Sequence, residues 1–264
     1  MLRLNPKLKN KIIAIPHGNN SKDFYPLPEE EKLAFRKEFF GENADKFIIT
    51  NVNRNQPRKD LPATILAFIE AKKRWKEEGI TKEPFLYLHT HPLDPMGNDL
   101  FFLFKQTDLI YGVDYKMPTV DEANVGATVE TLNKIYNASD VSITTTLGEG
   151  WGLTFSEAAA TQTPIICPLS TSFIEMSDNG QRAYVIDDFI PSVNDFDNMV
   201  RDKCNVFDVA ETILYVAKGM TGLLGDIGFD VHYADRVKKA YLWAKSLEWS
   251  EVCKRWIDEF KRTY

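Results

Sequence analysis

Short runs of β-branched and aromatic residues recur along the chain, separated by longer stretches of helical spacing, and this alternation restricts the fold more than any other feature of the sequence. The runs fall at residues 11–15, 47–52, 85–89, 141–145, 164–167 and 183–186. Their near-continuous apolar character reads as strands buried on both faces. Between them, residues 29–40, 61–78, 128–137, 152–161 and 172–178 combine helical spacing with good helix formers. Strand and helix in turn predict an α/β chain with a mainly parallel sheet covered by helices on both faces. Residues 206–219, 231–246 and 249–260 carry apolar side chains every three or four positions and predict a helical C-terminal tail. Residues 191–202 are polar, acidic and weakly patterned, which predicts an irregular excursion before that tail.

In open sheets of this kind, ligands collect at the carboxyl ends of the strands, near the point where strand order reverses. After the run at 141–145 the chain reads Gly148-Glu149-Gly150-Trp151-Gly152, and helical character begins with Leu153 and Thr154. Alternate positions there lack side chains, so backbone can approach a ligand closely. A helix opening near Gly152 directs its free amides and positive dipole end forward. A phosphate is the natural ligand of such a terminus; an ordinary glycine-rich turn is the competing interpretation. Glu149 in the loop and Glu157 in the helix add two acceptor-only groups, suited to two sets of hydroxyls. A carboxylate beside a ribose is a known way of holding vicinal diols, and Glu157 is placed for that role, the alternative being a solvated helix residue.

A basic loop, Asn53-Arg54-Asn55-Gln56-Pro57-Arg58-Lys59-Asp60, follows the run at 47–52, and Pro62 suits the first turn of the next helix. Arg54 and Lys59, five residues apart, are placed to close on a diphosphate opposite the glycine turn, Arg as a bidentate fork and Lys as a point charge. Taken alone the loop also reads as a solvated basic turn. His89, His91 and Asp94 could share one face as metal ligands, yet no further ligand has motif-like spacing, and the expectation is no metal.

Composition excludes several classes. With 44% apolar and 27% charged residues, the 264-residue chain is that of a folded globular protein. A net charge of -6 and a pI near 5.4 argue against nucleic acid as a partner, since polyanion binding relies on clustered Lys and Arg. Cys167, Cys204 and Cys253 are too scattered for a disulfide framework or zinc knuckle. Residues 1–7 lack the apolar run of a signal peptide, and no stretch approaches a membrane span. The expected location is the cytoplasm, either free or peripheral to a membrane. A nicotinamide dehydrogenase is disfavoured because no G-x-G-x-x-G follows the first strand.

The order Arg54 and Lys59, then Tyr136-Asn137-Ala138-Ser139-Asp140-Val141, then Glu149 and Glu157 within Glu149-Gly150-Trp151-Gly152-Leu153-Thr154-Phe155-Ser156-Glu157, then Thr163-Pro164-Ile165-Ile166, resembles glycosyltransferase family 4. Upstream, Ile15-Pro16-His17-Gly18-Asn19 looks like that family's lead-in to its second domain. Downstream, Leu247-Glu248-Trp249-Ser250 looks like its terminal helix. The resemblance implies a GT-B enzyme whose C-terminal, Rossmann-like half binds the sugar nucleotide, here as a single domain over 1–264, with 1–28 as lead-in and 203–264 as helical tail. It implies that Arg54 and Lys59 bind the diphosphate, that Glu149 contacts the transferred sugar, that Glu157 binds the ribose, and that backbone at Gly150, Gly152, Leu153 and Thr154 cradles the distal phosphate.

The implied activity is retaining, usually metal-independent hexosyl transfer from a UDP-, GDP- or ADP-sugar donor to a glycan, lipid or small-molecule acceptor, with no other cofactor. The alternative is a non-catalytic nucleotide-sugar-binding subunit or regulatory module. On this reading the N-terminal acceptor domain is absent from the chain, and a partner chain resembling that half, or self-association through the face bearing Trp151, is expected. Two departures stand out. Residues 168–175 read Pro-Leu-Ser-Thr-Ser-Phe-Ile-Glu where relatives commonly carry paired glycines, and His89-Thr90-His91 replaces a glycine-rich turn. Base selection is expected around residues 112–117 and 90–93.

Overall fold

A computed structural model of the protein describes residues 12–193, 198–224 and 229–263. In its first half the elements are α1 (Glu29–Phe40), β1 (Phe47–Val52), α2 (Leu61–Trp75), β2 (Pro84–His89), α3 (Leu100–Lys105), β3 (Tyr115–Lys116), α4 (Val120–Val125) and α5 (Val129–Asn137). There follow β4 (Val141–Ile143), α6 (Leu153–Ala160), β5 (Ile165–Pro168), α7 (Ser172–Met176), β6 (Tyr184–Ile186), β7 (Phe189–Val193), β8 (Val200–Cys204), α8 (Val206–Met220), α9 (Phe229–Lys245) and α10 (Trp249–Thr263).

Six strands form one sheet in the order β3-β2-β1-β4-β5-β6, and every pairing in it is parallel. The chain builds outward from β1 through β2 to β3, then returns to place β4 on the other side of β1. That reversal makes β1 and β4 the switch point of a Rossmann-like α/β fold. All six residues of β1 are buried, and its successive side chains enter opposite layers. Ile49 joins Leu61, Ile65 and Phe68 of α2 and Ile213 and Leu214 of α8. Ile48 joins Phe40, Phe85 and Ile135 on the opposite face. Farther along the sheet, Phe155, Ala158 and Ala159 of α6 pack with Phe173 and with Ala240 and Ala244 of α9. Among the described residues no helix is long and apolar enough to cross a membrane.

Two expectations are corrected. The strand expected at 11–15 does not form over 12–15, where Ile12 and Ile13 are exposed; Lys11 lies outside the described residues. This segment pairs with no strand of the six-stranded sheet. It is tied instead to the far end of the chain, where Asn19 N donates to Leu247 O at 2.5 Å and Trp249 N donates to Asn19 O at 3.0 Å. Asn133 and Asn137 on α5 seat it further by accepting from the amides of Tyr25 and Leu27. The stretch 191–202 is not irregular, for it contributes to an antiparallel hairpin of β7 and β8, paired from Phe189 with Cys204 to Val193 with Val200; residues 194–197 lie outside the described residues. A two-stranded ribbon has no wholly buried face, so it needs none of the continuous apolar character that marks the main sheet.

The loops after β1 and β2 are locked together. Asn55 Nδ2 donates to His91 O and Asn98 O, and Asn55 Oδ1 accepts from Asn98 N. Gly97 lies so close that a Cβ there would sit 2.2 Å from the backbone oxygen of Asn55. Gly97→Ala is therefore expected to destabilise the protein by roughly 1–3 kcal/mol through overpacking against backbone, read as a lower denaturation midpoint in urea. An unchanged midpoint would show that these loops are not rigidly joined.

Candidate functional site

The loops at the carboxyl ends of β1, β2 and β4 surround a cleft of about 670 Å³. Arg54 and Lys59 line it from the β1 loop, Thr90 and His91 from the β2 loop, and Glu149, Trp151, Gly152, Leu153, Thr154 and Glu157 from the turn and helix after β4. Residues far apart in sequence thus share one cavity. Gly150 lies within the same turn, with open space where a side chain would stand.

The helix terminus in this wall has no side-chain cap. Gly152 is the N-cap of α6 with φ 102° and ψ 68°, a left-handed conformation, and a Cβ on it would lie 2.6 Å from the ring of Phe173. Both conditions select glycine. The amides of Leu153 and Thr154 open the helix, where no intrahelical acceptor exists. Both residues line the cleft, with the positive end of the helix dipole behind them. Thr171, in the stretch lacking the paired glycines, adopts φ 50° and ψ −128°. Its hydroxyl accepts from Glu149 N at 3.2 Å. A β-branched residue held in that region stores about 1–3 kcal/mol of strain, and here it braces the turn through its hydroxyl.

The charged groups are already compensated. Arg54 Nε donates to Asp94 Oδ2 at 2.7 Å, and the Arg54 side chain remains 61% exposed while Asp94 is buried. Their hydrogen bond raises the Arg54 pKa and lowers that of Asp94. Lys59 Nζ donates to Glu149 Oε1, and Arg58 Nη1 lies 2.9 Å from the same oxygen. Glu157 is half-buried on α6, where Tyr136 OH donates to its Oε2 at 2.8 Å. Burial raises the Glu157 pKa, and the Tyr136 hydrogen bond and the charges of His17 and Lys59 oppose that rise. Three polar atoms in the cleft wall, Asn53 Oδ1, Thr90 Oγ1 and Trp151 Nε1, are buried and make no hydrogen bond within the described residues. Buried polar atoms without partners are rare, and a ligand rich in hydroxyl and carbonyl groups would satisfy them.

Other expectations fare differently. His89, His91 and Asp94 do not converge: His89 Nδ1 bonds Tyr87 OH, His91 Nε2 bonds Asn124 Oδ1, and Asp94 holds Arg54. Among the described residues no cluster of three or more His, Cys, Asp or Glu could hold a metal ion. Of the two regions expected to select the base, Thr90 and His91 line the cleft, whereas residues 112–117 do not, and Pro118, Glu122 and Ala123 stand in their place. Trp151 is not an open apolar face, because its ring stacks on Trp243 at 6.0 Å and faces His17 at 6.4 Å. Sequence reasoning passed over Arg58, Asp94 as the partner of Arg54, Tyr136 as the partner of Glu157, and His17. None of these carried a local signal in the sequence, since each acts with residues distant in the chain.

No protein-family model matches the sequence, and no curated protein does. Solved structures are similar in fold. Sucrose-phosphate synthase from Thermosynechococcus elongatus superposes with a TM-score of 0.66 at 18% identity, over 99% of this chain and 56% of that one. HepE from Anabaena, in complex with UDP and glucose, gives 0.65 at 12% identity, over 93% and 55%. The C-terminal domain of a group 1 glycosyltransferase, LpcC, from Francisella tularensis gives 0.57 at 14% identity, over 87% and 97%. The chain thus spans little more than half of the first two and nearly all of the third. Its fold is that of the C-terminal half of GT-B glycosyltransferases.

The Glu157 environment yields a pH-dependent expectation. A carboxyl whose pKa is raised by folding contributes stability that is present at low pH and lost as pH rises through the folded-state value. The Tyr136 hydroxyl limits that loss by bonding the ionised form. Tyr136→Phe should therefore cost more at pH 8 than at pH 4, below the ordinary carboxyl value, with a loss of about 1.5–3 kcal/mol where Glu157 is ionised. Denaturation at both pH values checks this, and an equal loss at both would place the effect in packing.

Proposed function

We propose that the cleft binds a nucleoside diphosphate sugar and that the chain is the donor-binding half of a retaining hexosyltransferase. The observation that carries this reading is the convergence, in one cavity, of three cationic groups, an uncapped helix terminus, three carboxylates and buried polar atoms lacking partners. Arg54, Lys59 and the amides of Gly152, Leu153 and Thr154 take the diphosphate, with the open backbone at Gly150 beside them. Glu157, buttressed by Tyr136, takes the ribose hydroxyls, and Glu149 those of the transferred sugar. The bond between the anomeric carbon and the phosphate oxygen breaks through an oxocarbenium-like transition state. Its electron pair leaves on the diphosphate, whose growing charge is met by cations and amides fixed in advance. HepE, a structural neighbour, was solved in complex with UDP and glucose, which agrees with a UDP-sugar among UDP-, GDP- and ADP-sugar donors.

The acceptor, whether glycan, lipid or small molecule, is assigned to a partner domain or chain, since the neighbours that match over about half their length have a further half. That same fact supports a second reading, a nucleotide-sugar-binding subunit without turnover of its own. Adding a chain that resembles the N-terminal half separates the two, because transfer to any acceptor establishes the enzyme and its complete absence favours the subunit.

Calorimetry against UDP-, GDP- and ADP-sugars should show binding of one base class. Arg54→Ala and Lys59→Ala should each weaken that binding about tenfold or more. Unchanged affinity in both variants would remove the diphosphate from this wall of the cleft.

A further inference from the structure

Arg58 is joined to the glycine turn through both its backbone and its side chain. Its carbonyl oxygen accepts from Leu147 N at 2.8 Å and from Thr146 Oγ1 at 3.0 Å. Its Nη1 donates to Gly148 O at 2.7 Å and lies 2.9 Å from Glu149 Oε1. The loop after β1 is thereby fastened to every residue from Thr146 to Glu149. Lys59, by contrast, meets the turn through the Glu149 carboxylate alone among the described residues, and it is the more enclosed of the two cations, 13% exposed against 36% for Arg58.

These two attachments behave differently when an anion arrives. An ammonium on a flexible stem is free to move toward a diphosphate, and its three donors are not committed to fixed directions. The guanidinium is a planar fork already held on a backbone oxygen, so its place does not depend on the anion. If Lys59 alone held Glu149, the ligand would strip the carboxylate of its counter-charge and leave it repelled by the incoming phosphates. With Arg58 in place, Glu149 keeps one cation, and its amide stays bonded to the Thr171 hydroxyl.

We propose that Arg58 is a positioning residue, holding the Glu149 carboxylate toward the transferred sugar while the diphosphate draws Lys59 away. The proposal rests on the nucleotide-sugar reading of the cleft. It assigns Lys59 to the leaving group and Arg58 to the sugar, although the two are adjacent in sequence and share one carboxylate oxygen.

The consequence is a difference between ligands with and without the sugar. Calorimetry is carried out with UDP and UDP-glucose, GDP and GDP-mannose, and ADP and ADP-glucose, on the wild type, Arg58→Gln and Arg58→Lys, with thermal unfolding of each. Arg58→Gln is expected to weaken the nucleotide sugar about tenfold and the sugar-free diphosphate by less than about threefold. Arg58→Lys, which keeps the charge but not the fork, should recover part of the lost discrimination. A general loss of structure would weaken both ligands together, and the partial rescue would not follow it. Equal weakening of both ligands, or no change in either, overturns the positioning role while leaving the nucleotide-sugar reading intact. A wild type that binds none of the six ligands overturns that reading and this proposal with it. Should Arg58→Gln fail to fold, Arg58→Lys decides alone, since a shift of the ratio in the same direction supports the role and an unmoved ratio overturns it.

Discussion

Parallel pairing on both sides of β1 is the constraint on which the remaining architecture depends. Ile49 pairs with Leu86 on one side and with Val141 on the other, both in the same direction. Three loops separated by tens of residues must therefore leave the sheet at one edge. Helices on both faces follow from the same pairing, because a parallel return requires a crossover and the crossover covers the sheet. The cleft is the space left where chain progression reverses, so its position is a consequence of strand order and not of any residue within it.

Charge compensation then shapes the cavity. Arg54 and Lys59 are each committed to a carboxylate, one from the β2 loop and one from the turn after β4. Asp94 has its other oxygen accepting from Met96 N and so fixes its arginine to backbone. A site organised this way presents cations without leaving them unpaired, and a ligand enters by exchanging ion pairs instead of meeting bare charge. The asymmetry between a rigid guanidinium and a movable ammonium becomes meaningful in that setting.

Strain and close packing gather in the loops around the glycine turn. Gly152 has no room for a side chain against Phe173, Thr171 is held at positive φ, and Asp60, just behind Lys59, is buried in a left-handed conformation with φ 46°. Burial raises the Asp60 pKa, and Lys203 from β8 lies 3.6 Å from its carboxylate to oppose that shift. The hairpin that appeared as an irregular excursion in the sequence thus supports the loop carrying Lys59. Locally unfavourable geometry persists when the surroundings over-determine it, and it clusters where a function demands precise placement.

Much was legible from the chain alone. The apolar runs from 47 onward became strands within a residue or two, because burial on both faces leaves a pattern that only a parallel sheet requires. That the glycine turn, its two glutamates and the Arg54 to Lys59 loop lie in loops and helix starts after strands was readable for a similar reason, since turn residues, charge and helix formers are properties of local composition. The hairpin and the short elements between residues 90 and 127 were not, because a two-residue strand and six-residue helices are held by their neighbours and carry little pattern of their own. Nor could the sequence pair Arg54 with Asp94, Glu157 with Tyr136, or Arg58 with Glu149. Those choices depend on which side chains meet across loops brought together by strand order, and distance in space is fixed only when the sheet has formed.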